Sequence, residues 1–107
     1  MSGKNNELTL AGYQKLISEL VLRRGYDKES INEVFLLLVE EIGELAKAIR
    51  KSSGMKVGAH SKSHNVEEEV ADVFWLVIDL SNRLGVDLAQ AFIDKEEINK
   101  KRKWSND

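Results

Sequence analysis

Apolar residues recur every three or four positions along four stretches of the chain, which is the spacing of one face of an α-helix. No proline interrupts the 107 residues, and residues that favour helices, such as Leu, Glu, Lys and Ala, are abundant. Strand-like alternation of apolar and polar residues is hard to find. The pattern therefore predicts an all-α chain.

Each of the four stretches begins and ends with a local helix signal. The predicted N-caps are Thr9, Ser30, Asn65 and Asp87. Ser30 is followed three residues later by Glu33, the pattern of a capping box. With Gly25 and Gly85 as stop signals, the predicted helices run over about 10–24, 31–51, 66–84 and 88–102. Short connections make neighbouring helices antiparallel, and the one long loop spans 52–64.

The apolar stripes identify the residues expected to face a core. They are Tyr13, Leu16, Ile17, Leu20 and Val21 in helix one; Val34, Leu37, Leu38, Ile42, Leu45 and Ile49 in helix two; Val66, Val70, Val73, Phe74, Val77 and Leu84 in helix three; and Ala91, Phe92 and Ile98 in helix four. Leu36, Trp75 and Leu76 add apolar surface beyond these stripes. This is more than one small bundle can bury, so we expect a homo-oligomer.

Composition narrows the class of protein. Lys+Arg 16 against Asp+Glu 18 gives a formal charge of -2, and the pI is about 5.7, which argues against a general nucleic-acid binder. No apolar run approaches the ~20 residues that a membrane span needs, and cysteine is absent. We therefore expect a single domain over residues 1–107, located in the cytoplasm, with neither nucleic acid nor membrane as a partner.

Two acidic pairs carry the candidate chemistry. Glu41 and Glu44 are spaced i, i+3 on helix two, as are Glu69 and Asp72 on helix three. Glu41 lies inside the apolar stripe of its helix, so its carboxylate is expected to be buried and to need a partner or a cation. Antiparallel packing would bring the four carboxylates together, and their repulsion predicts a divalent cation, Mg²⁺ or Mn²⁺.

Other metal sites fit the sequence less well. A di-iron carboxylate bundle uses Glu-x-x-His pairs, but His60 and His64 both lie in the long loop. Those two histidines have a spacing that could hold zinc, yet no second pair of ligands accompanies them. Gly43, in the middle of helix two, suggests that a backbone or a ligand passes close to that helix.

Helix four carries a complementary polar stripe. Lys95, Asn99 and Arg102 are spaced i, i+4, i+7 and share one face. They are either a solvated face near a helix C-terminus, where cations suit the helix dipole, or phosphate-binding groups opposite the metal site. The sequence alone leaves both interpretations open.

The ordered motifs resemble those of the MazG-like all-α nucleoside triphosphate pyrophosphohydrolases. The match consists of Glu40-Glu41-x-x-Glu44, then Glu69-x-x-Asp72, then Lys95-x-x-x-Asn99-x-x-Arg102. This resemblance implies a four-helix MazG-like bundle that assembles as a dimer or a dimer of dimers, with sites lined by more than one subunit. It also implies hydrolysis of (deoxy)nucleoside triphosphates to the monophosphate and pyrophosphate, in nucleotide-pool house-cleaning.

The resemblance also implies a role for each motif residue. Glu41, Glu44, Glu69 and Asp72 would be Mg²⁺ ligands, and Glu40 would orient or deprotonate the attacking water. Lys95, Asn99 and Arg102 would contact phosphate or sugar. The alternative is a helical interaction or regulatory module that keeps the acidic bundle but has no catalytic activity.

Overall fold

The structure, a computed structural model, describes residues 8–54 and 65–102. Within these ranges the chain forms four α-helices and one short 3₁₀ turn, with no strand. The helices are α1 (Leu10–Arg23), α2 (Ile31–Ser52), α3 (Val66–Arg83) and α4 (Leu88–Lys101), and the turn is Tyr26–Lys28. The all-α prediction is confirmed. None of the described helices is long and apolar enough to cross a membrane.

The capping signals in the sequence act as predicted. The Ser30 hydroxyl accepts a hydrogen bond from the Glu33 backbone N–H at 3.1 Å, and the Glu33 carboxylate accepts one from the Ser30 N–H at 2.7 Å. At the other three starts, a side-chain oxygen of the N-cap accepts the N–H three residues later, at 2.9 Å for Thr9, 3.1 Å for Asn65 and 3.1 Å for Asp87. Local chemistry therefore fixes where each helix begins.

The principal helix pair is α2 and α3, which pack antiparallel. Glu41, in the middle of α2, hydrogen-bonds Glu69 near the start of α3. Just before the start of α2, the carbonyl of Glu29 accepts a hydrogen bond from Arg83 at the end of α3. This antiparallel order sets the two acidic motifs against each other.

The core lies where α1 crosses α3. Ile17, Val21 and Ile78 form the buried cluster, and Trp75 and Leu88 pack against it. On α2 the buried apolar residues are Val34, Leu38 and Ala48. Ile78, which the stripe predicted for α3 did not include, is fully buried. The inward face of α3 is thus rotated from the predicted one.

Several residues expected to face the core are exposed within the chain. They are Leu16 on α1; Leu37, Ile42 and Ile49 on α2; Val70, Phe74 and Val77 on α3, with Leu84 at its C-cap; and Ala91, Phe92 and Ile98 on α4. The prediction for these residues is wrong because one chain covers only part of the apolar surface of its helices. Phe74 still packs edge-to-face on Tyr13 of α1, with the ring centroids 5.3 Å apart.

The start of α4 is held by a side-chain network. The Gln14 amide donates to Asn82 Oδ1 at 2.8 Å and to the Val86 carbonyl at 2.9 Å, and its oxygen accepts from the Leu88 N–H at 3.0 Å. Asn82 donates back to the Gln14 carbonyl at 2.9 Å. Because none of the residues in α4 is buried, these bonds and the packing of Leu88 largely hold the first turn of α4 against α1 and α3.

Candidate metal centre

Three of the four predicted ligands meet between α2 and α3. Glu41, Glu69 and Asp72 each offer an oxygen, and these oxygens lie within 4.8 Å of one another. Glu69 and Asp72 share a face because they are one helical turn apart, and antiparallel packing places Glu41 opposite them. Three convergent carboxylates can together bind one hard divalent cation.

The negative charges of this cluster affect the pKa of Glu41. Burial is the largest cause that raises the pKa of Glu41 above its ordinary value of 4.5. A hydrogen bond to Glu69 and the negative charges of Asp72, Glu69 and Glu44 raise this pKa further. When no cation compensates the cluster, Glu41 therefore loses its proton at a higher pH than an ordinary glutamate does.

Glu44, the fourth predicted ligand, flanks the three convergent carboxylates. It is half-buried and close enough for its charge to act on Glu41. One oxygen of Glu44 and one of Glu69, Oε1 in each case, are buried and accept no hydrogen bond from the described residues, although both residues make other interactions. Glu44 thus adds a fourth carboxylate beside the three that converge.

A cavity of about 540 Å³ opens beside the carboxylates. Glu41 and Asp72 line part of it, and apolar, aromatic and further charged side chains line the rest. The lining residues are Arg24, Tyr26, Glu29, Leu37, Glu41, Asp72, Trp75, Leu76 and Asp79. A group of mixed polar and aromatic character can thus lie next to a cation at the carboxylates.

Asp79 in the cavity wall forms an ion pair that was not predicted from the sequence. Arg83 Nε donates to Asp79 Oδ1 at 2.9 Å, and the two side chains are only 13% and 4% exposed. Their i, i+4 spacing on α3 is a usable signal. In the sequence, however, an arginine in the last helical turn has the pattern of an ordinary solvated charge. The burial of the Arg83 side chain depends on its contacts with the turn between α1 and α2, which the spacing does not reveal.

The other predicted site residues do not join the carboxylates within one chain. Glu40 is exposed on α2. Lys95 and Asn99 lie on α4, and Arg102 is its C-cap. None of the four lines the cavity; Asn99 instead donates to Glu96 at 3.3 Å. His60 and His64, the weak zinc candidates, lie outside the described residues.

The close approach expected at Gly43 is not found. A Cβ placed on Gly43 would meet nothing within 4 Å among the described residues. The residue is exposed on α2, so the fold of one chain does not require glycine at this position.

A family model and the named relatives of this chain point to the same family. The MazG nucleotide pyrophosphohydrolase domain matches residues 29–104. The chain is 31% identical to mouse dCTP pyrophosphatase 1 over 101 residues, covering 90% of this chain and 59% of the mouse protein. It is 34% identical over 96 residues to a dATP/dGTP diphosphohydrolase of Salmonella phage PMBT28, covering 90% of this chain and 28% of the phage protein. The chain thus spans less than two thirds of these relatives.

Two solved structures share the fold. The iMazG protein from Vibrio DAT 722 superposes with a TM-score of 0.64 at 30% identity, over 87% of this chain and 99% of that one. YPJD of Bacillus subtilis superposes with a TM-score of 0.70 at 24% identity, over 95% of this chain and 99% of that one. The second likeness supports the fold alone.

Proposed function

Because the chain belongs to the MazG nucleotide pyrophosphohydrolase domain family, we propose that it hydrolyses (deoxy)nucleoside triphosphates between the α and β phosphates, giving the monophosphate and pyrophosphate. The observation that carries this proposal is the convergence of Glu41, Glu69 and Asp72 beside an open cavity. The names of the mouse and phage relatives favour deoxynucleotides as substrates. Such an activity suits house-cleaning of the nucleotide pool.

The residues that would hold a metal are Glu41, Glu44, Glu69 and Asp72. Their all-oxygen donor set and the crowding of three carboxylates within 4.8 Å fit a hard divalent cation, which we propose is Mg²⁺, with Mn²⁺ as a substitute. When bound, such a cation neutralises phosphate charge and activates water. These carboxylates would hold the cation between α2 and α3.

The remaining motif residues would act on water and on the substrate. Glu40 adjoins Glu41 in sequence and is exposed to solvent, which suits a group that orients or deprotonates the attacking water. Lys95, Asn99 and Arg102 would hold the phosphates or the sugar, with the planar guanidinium of Arg102 able to contact two oxygens at once.

We propose further that the working unit is a homodimer or homotetramer with sites lined by more than one subunit. Within one chain, the α4 stripe does not line the cavity, so a neighbouring subunit is needed to bring it there. An outer seam on α2 supports assembly, because its apolar residues follow alternating spacings of four and three and are exposed, the four large ones by about half. The seam consists of Phe35, Val39, Ile42, Ala46 and Ile49.

The experiment is pyrophosphate release from a panel of canonical and modified nucleoside triphosphates, in Mg²⁺, in Mn²⁺ and in EDTA. We expect turnover of at least one deoxynucleotide with either cation, and none in EDTA. Identification of the monophosphate and pyrophosphate as products separates α–β cleavage from release of the γ phosphate. Absence of metal-dependent turnover across the panel would favour the helical interaction or regulatory module instead.

A further inference from the structure

Arg83, whose side chain is only 13% exposed, links the end of α3 to one wall of the cavity. We propose that Arg83 is a positioning residue, which holds the segment 26–29 in the shape that the substrate's nucleoside end contacts. This inference rests on the proposed function, because it takes the cavity beside the carboxylates to be the substrate site. Arg83 does not line that cavity, so it would act only through the groups it holds.

The guanidinium of Arg83 makes three different hydrogen bonds. Nε donates to Asp79 Oδ1 at 2.9 Å, Nη2 donates to the Tyr26 carbonyl at 2.8 Å, and Nη1 donates to the Glu29 carbonyl. The two carbonyls stand at the beginning of the 3₁₀ turn and just after its end. Arg83 thus grips both ends of the segment and ties them to α3.

Little else within the segment defines its shape. Its internal backbone hydrogen bond runs from the Glu29 N–H to the Tyr26 carbonyl, at 3.1 Å. The turn has only three residues and follows Gly25, whose φ of 77° lies in the left-handed region. Such short 3₁₀ turns are marginal on their own, so the tie to Arg83 is expected to set the position of the segment.

The residues held by Arg83 are themselves part of the cavity wall. Tyr26, Glu29 and Asp79 all line the same cavity as Glu41 and Asp72. Asp79 also balances the arginine charge, since both side chains are almost fully removed from solvent. A shift of this wall would change the fit of a bound nucleotide while leaving the three convergent carboxylates in place.

Arg83→Lys is the informative variant. Lysine keeps the positive charge next to Asp79, so it avoids leaving a buried carboxylate unpaired, but its ammonium cannot reproduce the planar three-point contact. The matched control is Thr9→Ala, which weakens the fold by removing the N-cap of α1, far along the helix from the turn. Three measurements are made on each protein: steady-state kinetics, Mn²⁺ affinity, and hydrogen exchange of the 25–30 peptide.

For Arg83→Lys we expect KM to rise about tenfold with kcat within about twofold of wild type. The reason is that a displaced cavity wall weakens the binding of the substrate and of the transition state by the same amount. We expect faster exchange in the 25–30 peptide and unchanged Mn²⁺ affinity, whereas Thr9→Ala should change none of the three. An unchanged KM, or unchanged exchange in this peptide, would overturn the positioning role alone. Absence of turnover in the wild-type protein would overturn the proposed function, and with it the substrate role given to Arg83.

Discussion

Replacing Glu41 by Gln is expected to stabilise the metal-free protein while abolishing turnover. The oxygens of Glu41, Glu69 and Asp72 lie within 4.8 Å of one another. Two unit charges at that separation repel by about 0.9 kcal/mol in water and by about 3.5 kcal/mol at an effective dielectric constant of about 20. Gln keeps the shape and can donate a hydrogen bond to Glu69, so we expect a gain of roughly 1 to 3 kcal/mol at about pH 8.

The effect has a defined dependence on pH. Burial, followed by the hydrogen bond to Glu69 and the neighbouring charges, raises the folded-state pKa of Glu41 above its ordinary value of 4.5. Between those two pKa values the folded protein binds more protons than the unfolded chain, so the stability of the wild type falls as pH rises through this window. Glu41→Gln lacks this titration, and its advantage should shrink as pH falls toward the ordinary pKa.

The assay is urea and thermal unfolding in EDTA, at several pH values. For a domain of this size, each kcal/mol corresponds to a shift in Tm of roughly 4–8 °C. Glu40→Gln is the matched control, because Glu40 is the exposed neighbour on the same helix and its removal should change the Tm little. Excess Mg²⁺ should stabilise the wild type more than Glu41→Gln. A Glu41→Gln protein less stable than the wild type in EDTA at about pH 8 would refute the reasoning.

Three further outcomes are expected. Glu69→Gln should abolish metal-dependent turnover while the far-ultraviolet circular dichroism stays helical; activity like that of the wild type would remove Glu69 from the ligand set. Arg102→Ala should lower kcat/KM by roughly 10- to 150-fold with little change in Tm, and Arg102→Lys should also be impaired; unchanged kinetics would return Arg102 to a solvated helix end. Phe35→Glu, on the outer seam of α2, should shift the mass measured by light scattering toward the monomer, whereas a wild-type protein that is already a folded monomer at micromolar concentration would contradict the proposed assembly.

The sequence anticipated the parts of the site that depend on a single helix. The spacing of Glu69 and Asp72 places both carboxylates on one face of α3, and the structure brings them against Glu41 as the antiparallel packing predicts. The stripe on α4 is present too, but it lies away from the cavity of its own chain. The expected inward position of Phe92 is wrong, since its side chain is 63% exposed. Helical spacing predicts which residues share one face of a helix, but it does not predict which other element packs on that face.

The role proposed for Arg83 cannot be predicted from the spacing of residues along the chain. Read along the chain, it is a cation in the last turn of a helix, where the dipole favours it on any solvated surface. Its burial comes from carbonyls of the 26–29 segment, more than 50 positions away in sequence. A three-residue turn also leaves too short a pattern for periodicity to detect. Both features of the cavity wall therefore escaped prediction.

By itself, the sequence determined the four helices and where each begins, since Ser30 with Glu33, and N-caps such as Asp87, satisfy backbone groups within one turn and need no other part of the chain. It also determined which helices carry carboxylates. Only the tertiary structure decided that Ile78, rather than Val77, is buried in the core, and that Arg83 supports the cavity. The reason is that capping energies are local, whereas burial is decided by contacts between segments distant in sequence.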